Sequence, residues 1–395
     1  MARSCLGEIV NKLISLLALS ALVLIPCQLL AFHDGGVAEC AGCHTMHNSQ
    51  DGQLVDPNHP AGNAYLLNNG NPSDTCLGCH AGYGQFAGGE GYGAGGDFYW
   101  LTRTWSWEAH GHVRTSEGDA HGHNIIAPAY NLTQDATLGM APGGDFLSQY
   151  LSCTSCHDPH GNQNFRILYG AETGPVYAGG RYDFNAPAPL ASGNSRRTVS
   201  GTGRESDLAH TVYKFGMSNW CANCHDQFHS SNTTNFVHPT GQAMSSMVVA
   251  TYNAYISTDD ITGGDQATSY MGLVPFEAVN VDFDDPDFDS TNYTMGPAAG
   301  DQVMCLSCHR AHASPFSDIA RWDMGETFLA DSHPAGLDEG ATQDDLDNMY
   351  YDYTFVDNQR SLCNKCHAKD YGDLAYEGGR HDGKIIDYGH ELHAD

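Results

Sequence analysis

Positive charge is scarce in this sequence: 17 Lys and Arg stand against 47 Asp and Glu among 395 residues, a formal net charge of −30. So acidic a surface repels phosphate backbones and anionic headgroups, which excludes nucleic acid and an anionic membrane surface as partners. Long apolar runs are scarce as well. One run, Leu13 to Leu30, sits near the N-terminus, and nothing after residue 31 resembles a membrane span. Sustained helical or alternating periodicity is missing from most windows, which argues against ordinary packed layers. In its place stand 45 glycines and 16 prolines, with loop-like stretches such as G-G-E-G-Y-G-A-G-G at 88–96. A chain so rich in turn residues struggles to offset its conformational entropy with side chains alone.

Spare cysteine is missing too. Of 14 cysteines, twelve fall into six C-x-x-C-H motifs, numbered here as sites 1 to 6: Cys40/Cys43/His44, Cys76/Cys79/His80, Cys153/Cys156/His157, Cys221/Cys224/His225, Cys305/Cys308/His309 and Cys363/Cys366/His367. Cys5 and Cys27 lie in the N-terminal segment, so none is left over for a disulfide. C-x-x-C-H is the attachment signature of a c-type haem, in which two thiols bond the porphyrin edge and the histidine ligates the iron. Structural zinc on C-x-x-C knuckles is the alternative, but it gives no reason for a histidine after every second cysteine. Six tethered porphyrins supply six apolar discs around which short loops can pack. The expected fold is a multihaem c-type cytochrome: mostly irregular loops, short helices at the haem sites, few strands, and a core formed by six stacked haems. The sites lie 36, 77, 68, 84 and 58 residues apart, with no exact repeat, which predicts one hexahaem domain over 32–395.

Residues 1–31 carry Arg3 and Lys12 ahead of the apolar run and end at Ala31 before the polar F-H-D-G-G. This reads as a secretory signal cleaved after Ala31, with an uncleaved anchor as the alternative; c-type haem is attached outside the cytoplasmic membrane. Export through the periplasm to the cell surface or beyond is expected. The acid-rich stretches at 282–289 and 343–353 read as solvated acidic segments. The first could cage Ca²⁺ but lacks EF-hand spacing.

Histidine is abundant: 22, of which six are proximal ligands and sixteen remain for six distal positions. This favours bis-histidine ligation at every iron, leaving no open position for substrate and making the haems relays rather than catalysts. His47, three residues after His44, cannot easily reach the opposite face of its own haem. The same C-H-x-x-H spacing recurs at His157/His160 and His309/His312, and His229 follows His225 by four. If His160 and His312 ligate neighbouring irons, each short peptide pins two porphyrins together; the alternative is hydrogen bonding to propionates. His33, His123 in G-H-N-I and His238 in V-H-P-T-G are further distal candidates. His110, His112 and His121 crowd the same region, and any of them could be solvated. His210, His333, His381, His390 and His393 look least constrained. Aromatics cluster at 98–107 and 349–355, read as packing against porphyrin faces rather than as electron stepping stones.

The run F-H-D-G-G-V-A-E-C-A-G-C-H-T-M-H-N-S (32–49) resembles the mature N-terminus of the OmcS-type hexahaem outer-surface cytochromes of metal-reducing bacteria. So, in order, do G-G-D-F (95–98), S-E-G (116–118), G-H-N-I (122–125), A-P-G-G (141–144), C-x-x-C-H-D-P-H-G (153–161), M-S-x-W-C-A-N-C-H (217–225), C-L-S-C-H-R-A-H-A-S (305–314) and C-N-K-C-H-A-K-D (363–370). The resemblance implies an extracellular filament of head-to-tail copies, a nanowire loaded by upstream cytochrome donors and discharging to metal oxides or partner cells. His33, His47, His123, His160, His229, His238 and His312 fall in matching segments, seven candidates for six places. It further implies that His47 binds the iron at Cys305/Cys308/His309 of the next protomer. After Asp370 the chain departs from the family with an extension over about 371–395. A monomeric periplasmic or outer-surface carrier is the competing expectation. A multihaem reductase would need an iron with an open position, often marked by a variant motif, and all six motifs here keep their histidine.

Overall fold

The structure, a computed structural model, describes residues 40–81, 93–193, 205–229 and 238–351, most of 353–367, and the backbone of 380–381 and 384–385. The secretory segment 1–31, His33 and most of the extension lie outside the described residues. Elements are short throughout. Among the described residues the longest helices, Pro72–His80 and Ser246–Ala254, have nine residues each, and every sheet has two strands. No described helix is long and apolar enough to cross a membrane.

Local chemistry sets these elements. Pro72 opens the site 2 helix, where a missing N–H costs nothing, and the Asn71 side chain accepts from the Asp74 N–H at 2.9 Å. Helix Gln343–Asn348 starts in a Thr342/Asp345 capping box. Asp345, fully buried, also takes two bonds from Arg103, at 3.1 Å to Nε and 2.5 Å to Nη2. One acid of the 343–353 stretch is thus a structural anchor. The acids of 282–289 are exposed, and Asp282 and Asp285 cap their own turns.

The unequal spacing of the motifs conceals a repeat. At sites 1, 3 and 5 the chain leaves the motif, loops, and returns in a 3-10 turn whose last two residues are left-handed: Tyr65–Leu66, Arg166–Ile167 and Asp318–Ile319. The motif histidine donates Nδ1–H to the first of these carbonyls, His44 to Tyr65 and His157 to Arg166 at 2.9 Å, His309 to Asp318 at 2.7 Å. Two backbone bonds close each unit in register, for example Asp158 N–H to Ile167 O and Tyr169 N–H to Cys156 O, both 2.8 Å. Left-handed non-glycine residues cost roughly 1–3 kcal/mol each, so this shape persists only because three hydrogen bonds hold it. The interval from second histidine to carbonyl is six residues at sites 3 and 5 but 18 at site 1. That insertion hides the repeat in sequence.

The even-numbered sites join these units in order. The Ser73 hydroxyl, three residues before Cys76, accepts from the Cys153 N–H at 3.2 Å; Ser218, three before Cys221, accepts from the Cys305 N–H at 3.1 Å. The Cys76 and Cys153 thiols perturb each other's ionisation, as do Cys221 and Cys305, because each pair lies side by side. Burial raises Cys43, Cys156 and Cys308, and the neighbouring thiols of Cys79, Cys224 and the Cys363/Cys366 pair raise them further. Up to site 5 first cysteines meet first and second meet second, alternately, and Cys308 meets both cysteines of site 6, so the six motifs run through space in chain order.

The chain also packs apolar clusters of its own, the largest including Tyr252, Leu273, Phe276, Trp322, Leu329 and Leu362. The two aromatic stretches meet directly: Trp100 Nε1 donates to the Tyr351 hydroxyl at 3.2 Å. Trp105 and Trp107 stack on His121 and His333 at 4.7 and 3.9 Å. Among the described contacts, then, the aromatics pack on one another and on imidazoles.

Candidate haem-binding sites

Four motif histidines each face one other imidazole across a narrow gap. Ring centres are 6.3 Å apart for His44 and His160, 6.2 Å for His157 and His312, 6.0 Å for His225 and His123, and 6.4 Å for His367 and His238. Two metal–nitrogen bonds of about 2.0 Å, plus about 1.1 Å from each nitrogen to its ring centre, give about 6.2 Å. The rings are thus spaced as a pair sharing one metal ion, too far apart for van der Waals stacking. Their planes run from nearly parallel (8°) at His44/His160 through 48° and 66° to perpendicular (90°) at His238/His367.

The protonation pattern suits the same purpose. His225 donates Nδ1–H to Pro142 O and His123 to Ala311 O, both at 2.7 Å; His312 donates to Gly96 O at 3.3 Å. With His44, His157 and His309, six of the motif and facing imidazoles have Nδ1 on a backbone carbonyl. Such a bond fixes the tautomer, leaves the Nε2 lone pair free and strengthens it as a ligand. Burial keeps His123 and His312 neutral, pushing them down to about 4 and about 3. Packing holds His312 in place: Phe98 stacks on it at 4.7 Å, and a Cβ at Gly95 would lie 2.9 Å from its Nδ1.

The remaining candidates divide. His47 is exposed, and no motif histidine faces it among the described residues. His309 likewise meets no second imidazole at this spacing among them. His229 is not brought opposite a motif histidine: its Nε2 hydrogen-bonds Asn219 Oδ1, which occupies the nitrogen a ligand would use. His33 lies outside the described residues, as do His390 and His393. Of the histidines expected to be solvated or loosely held, His110 and His112 are exposed, whereas three others are held firmly. His210 is fully buried, stacked on Tyr270 at 3.5 Å, with its nitrogens on the Thr211 and Tyr293 carbonyls. His121 is fully buried between Ser116 and the Trp100 carbonyl. His333 bonds Asp338 at 2.6 Å.

Sequence reasoning passed over two buried arginines. Arg310 and Arg321, 3% and 1% exposed, flank site 5 in this acidic chain, and each keeps one Nη2 without a partner. Arg321 Nε donates to the Leu306 and His309 carbonyls. Their equivalents are Thr45 and Asn68 at site 1, Asp158 and Tyr169 at site 3, so only the repeat reveals them as a local excess of positive charge.

The chain is 35% identical to the C-type cytochrome OmcS of Geobacter sulfurreducens, over 89% of its own length and 98% of the relative's. It belongs to the OmcS family of c-type cytochromes. Haem iron is therefore its cofactor, and the paired imidazoles and motif cysteines fit that group. Two solved structures agree in fold: the outer membrane cytochrome S filament of Geobacter sulfurreducens (TM-score 0.71) and the OmcS nanowires of the same organism (TM-score 0.68). Each is 32% identical and covers 86% of this cytochrome and 100% of the solved chain. Both the loop-rich architecture and the resemblance read from the motifs are borne out. No protein-family profile matches the chain.

Proposed function

We propose that this cytochrome carries electrons outside the cell through six bis-histidine haems, as a filament of its own copies. Each bound iron would supply one-electron transfer; the chain supplies ligands, spacing and order. The facing pairs support His160 as the distal ligand at site 1, His312 at site 3, His123 at site 4 and His238 at site 6. At both assigned even sites the distal histidine precedes its motif in the chain, so His33 goes to site 2. Every distal position but one is then filled from the same chain.

The observation that carries the filament reading is the series at the odd sites. The second histidine of site 3 faces site 1, and the second histidine of site 5 faces site 3. Continuing by one step, the second histidine of site 1, His47, faces site 5 of another copy, where His309 awaits a ligand. The thiol order continues equally, setting Cys363 beside Cys40 of that copy. A contact of this head-to-tail kind does not close on itself and propagates into a fibre. The solved OmcS filaments support it. Upstream cytochromes would load it, and metal oxides or partner cells would accept its electrons, after export through the periplasm with residues 1–31 removed. With both axial positions filled, the irons bind no substrate, which favours a conduit over an enzyme.

The test is His47→Ala. Six haems should remain attached, one iron should become five-coordinate or water-ligated, and filaments should be lost. Filaments of normal length with six low-spin irons would overturn the reading.

A further inference from the structure

At site 5 the peptide carrying the second histidine is held by flanking chain, whereas at site 3 its bonds stay within the unit, such as Asn162 Nδ2 to Leu168 O at 3.2 Å. At site 5 Ala313 pairs with Gly96 and Gly122, and a Cβ on either glycine would collide with backbone of residues 312–313. The link from second histidine to 3-10 turn is correspondingly short. At site 1 the link is twelve residues longer and folds on itself. Ser49–Gln50 pairs with Gln53–Leu54 around an Asp51–Gly52 turn, both residues left-handed. Behind it, Asn48 Nδ2 donates to the carbonyls of Asp56 and His59 at 3.0 and 2.8 Å, and the Asp56 N–H returns to Asn48 Oδ1 at 2.7 Å. Asp56 Oδ2 takes further bonds from His59 Nδ1 and Asn63 Nδ2, each 2.8 Å. Asn48 follows His47 directly, so this network fixes the backbone from which His47 projects.

The surface around His47 differs from its counterparts as well. Tyr65, 79% exposed, occupies the position held by Arg166 at site 3 and Asp318 at site 5. Those charged equivalents are also exposed, so the position faces outward in all three units. Met46, 73% exposed, replaces Pro159 and Ala311, and Leu54, 45% exposed, stands on the inserted hairpin. Only the first unit presents large apolar side chains there.

We propose that the insertion at 49–62, with Met46 and Tyr65, is a preformed docking surface for the site 5 end of a second copy of this chain. It takes the place of the flanking chain that seats the His312 peptide at site 5, and it orients His47 before the partner arrives. Preorganisation of this kind lowers the ordering cost of association, and the apolar patch confines docking to a complementary surface rather than to any cytochrome with a vacant axial position. The inference rests on the filament reading and adds a recognition element to it.

Three variants of the full, haem-loaded chain test it: Tyr65→Arg and Met46→Ser, which leave the loop and His47 intact, and replacement of 48–62 by the Gly-Asn-Gln of site 3. The readouts are filament length against protein concentration and the fraction of high-spin iron. Tyr65→Arg should raise the concentration needed for assembly by about tenfold or more, the weight of one buried aromatic contact. The loop replacement should abolish assembly and leave one iron high-spin although His47 is present. If His47→Ala blocks filaments while all three variants assemble as the parent does, the docking surface is wrong and the filament reading stands. If His47→Ala itself assembles normally, both fail.

Discussion

At sites 1 and 3 the facing histidine comes from a peptide that already carries a C-x-x-C-H motif. At sites 4 and 6 it comes from chain that carries none, His123 and His238. On the proposed ligation one peptide with two histidines serves two irons, so that His157/His160 and His309/His312 would fix the distance between neighbouring odd sites as covalent spacers. Sites 2 and 4 each lie between two odd ones in the chain. Connectivity therefore lies in the odd sites, and losing one should do more damage than losing an even one.

The largest expected effect breaks that comparison directly. Changing Cys153 and Cys156 to Ala removes the site 3 haem and also the anchor of the peptide bearing His160. Once assembled into filaments, the product should hold five haems by mass, one of them high-spin by electron paramagnetic resonance, namely site 1. The same change at Cys363 and Cys366 should give five haems, all low-spin once assembled into filaments. Identical spectra from the two variants would mean that the odd peptides do not couple their sites.

The difference between site classes also explains what the sequence disclosed. The odd pairs were legible because both histidines sit inside one motif, where ligand geometry forbids the second from serving the first iron. His123 and His238 were drawn from matching segments, since 102 and 129 residues separate them from their facing partners and no local rule spans that distance. His229 misled through spacing: four residues after His225 resembles the odd pattern, but a helical turn over Asp226–His229 carries it to Asn219. His210 and His121 are buried by distant chain, which leaves no mark on their neighbours in sequence. The threefold repeat escaped for a plainer reason, a twelve-residue insertion in its first copy.

A smaller effect sharpens the comparison within the odd class. Site 5 carries Arg310 and Arg321 where site 3 has Asp158 and Tyr169. Glu205, 3.6 Å from Arg310, offsets one of the two positive charges. A buried cation favours the reduced, less positive iron, so site 5 should have the highest potential of the three odd sites. Removing the uncompensated charge with Arg321→Gln should lower that potential by roughly tens of millivolts, the scale of a unit charge at moderate distance in protein. Spectroelectrochemical titration resolves this, and an unchanged curve would show that the arginines only pack.

The smallest effect concerns the joint between an even and an odd site. Glu277 is 1% exposed, accepts the Met217 N–H at 2.7 Å where the site 4 helix begins, and lies near Cys305 of site 5. Burial pushes its carboxyl up to about 7, against an ordinary value of 4.5. Between those two values the folded chain holds a proton that the unfolded chain has released. The sign follows: stability should fall as pH rises from about 4.5 to about 7, then level off, because ionising this group inside the fold is opposed. Glu277→Gln keeps an acceptor for the Met217 N–H and removes the titration, so its melting temperature should vary less with pH across that window than the parent's. The corresponding joint between sites 2 and 3 offers an internal control. Asp74 there, in the site 2 helix, is also raised by burial, but from 3.8, so its contribution should fall at lower pH. If the Glu277→Gln profile matches the parent's from pH 4.5 to 7, the carboxyl is already ionised in the folded joint, and the site 4–5 junction carries no proton of its own.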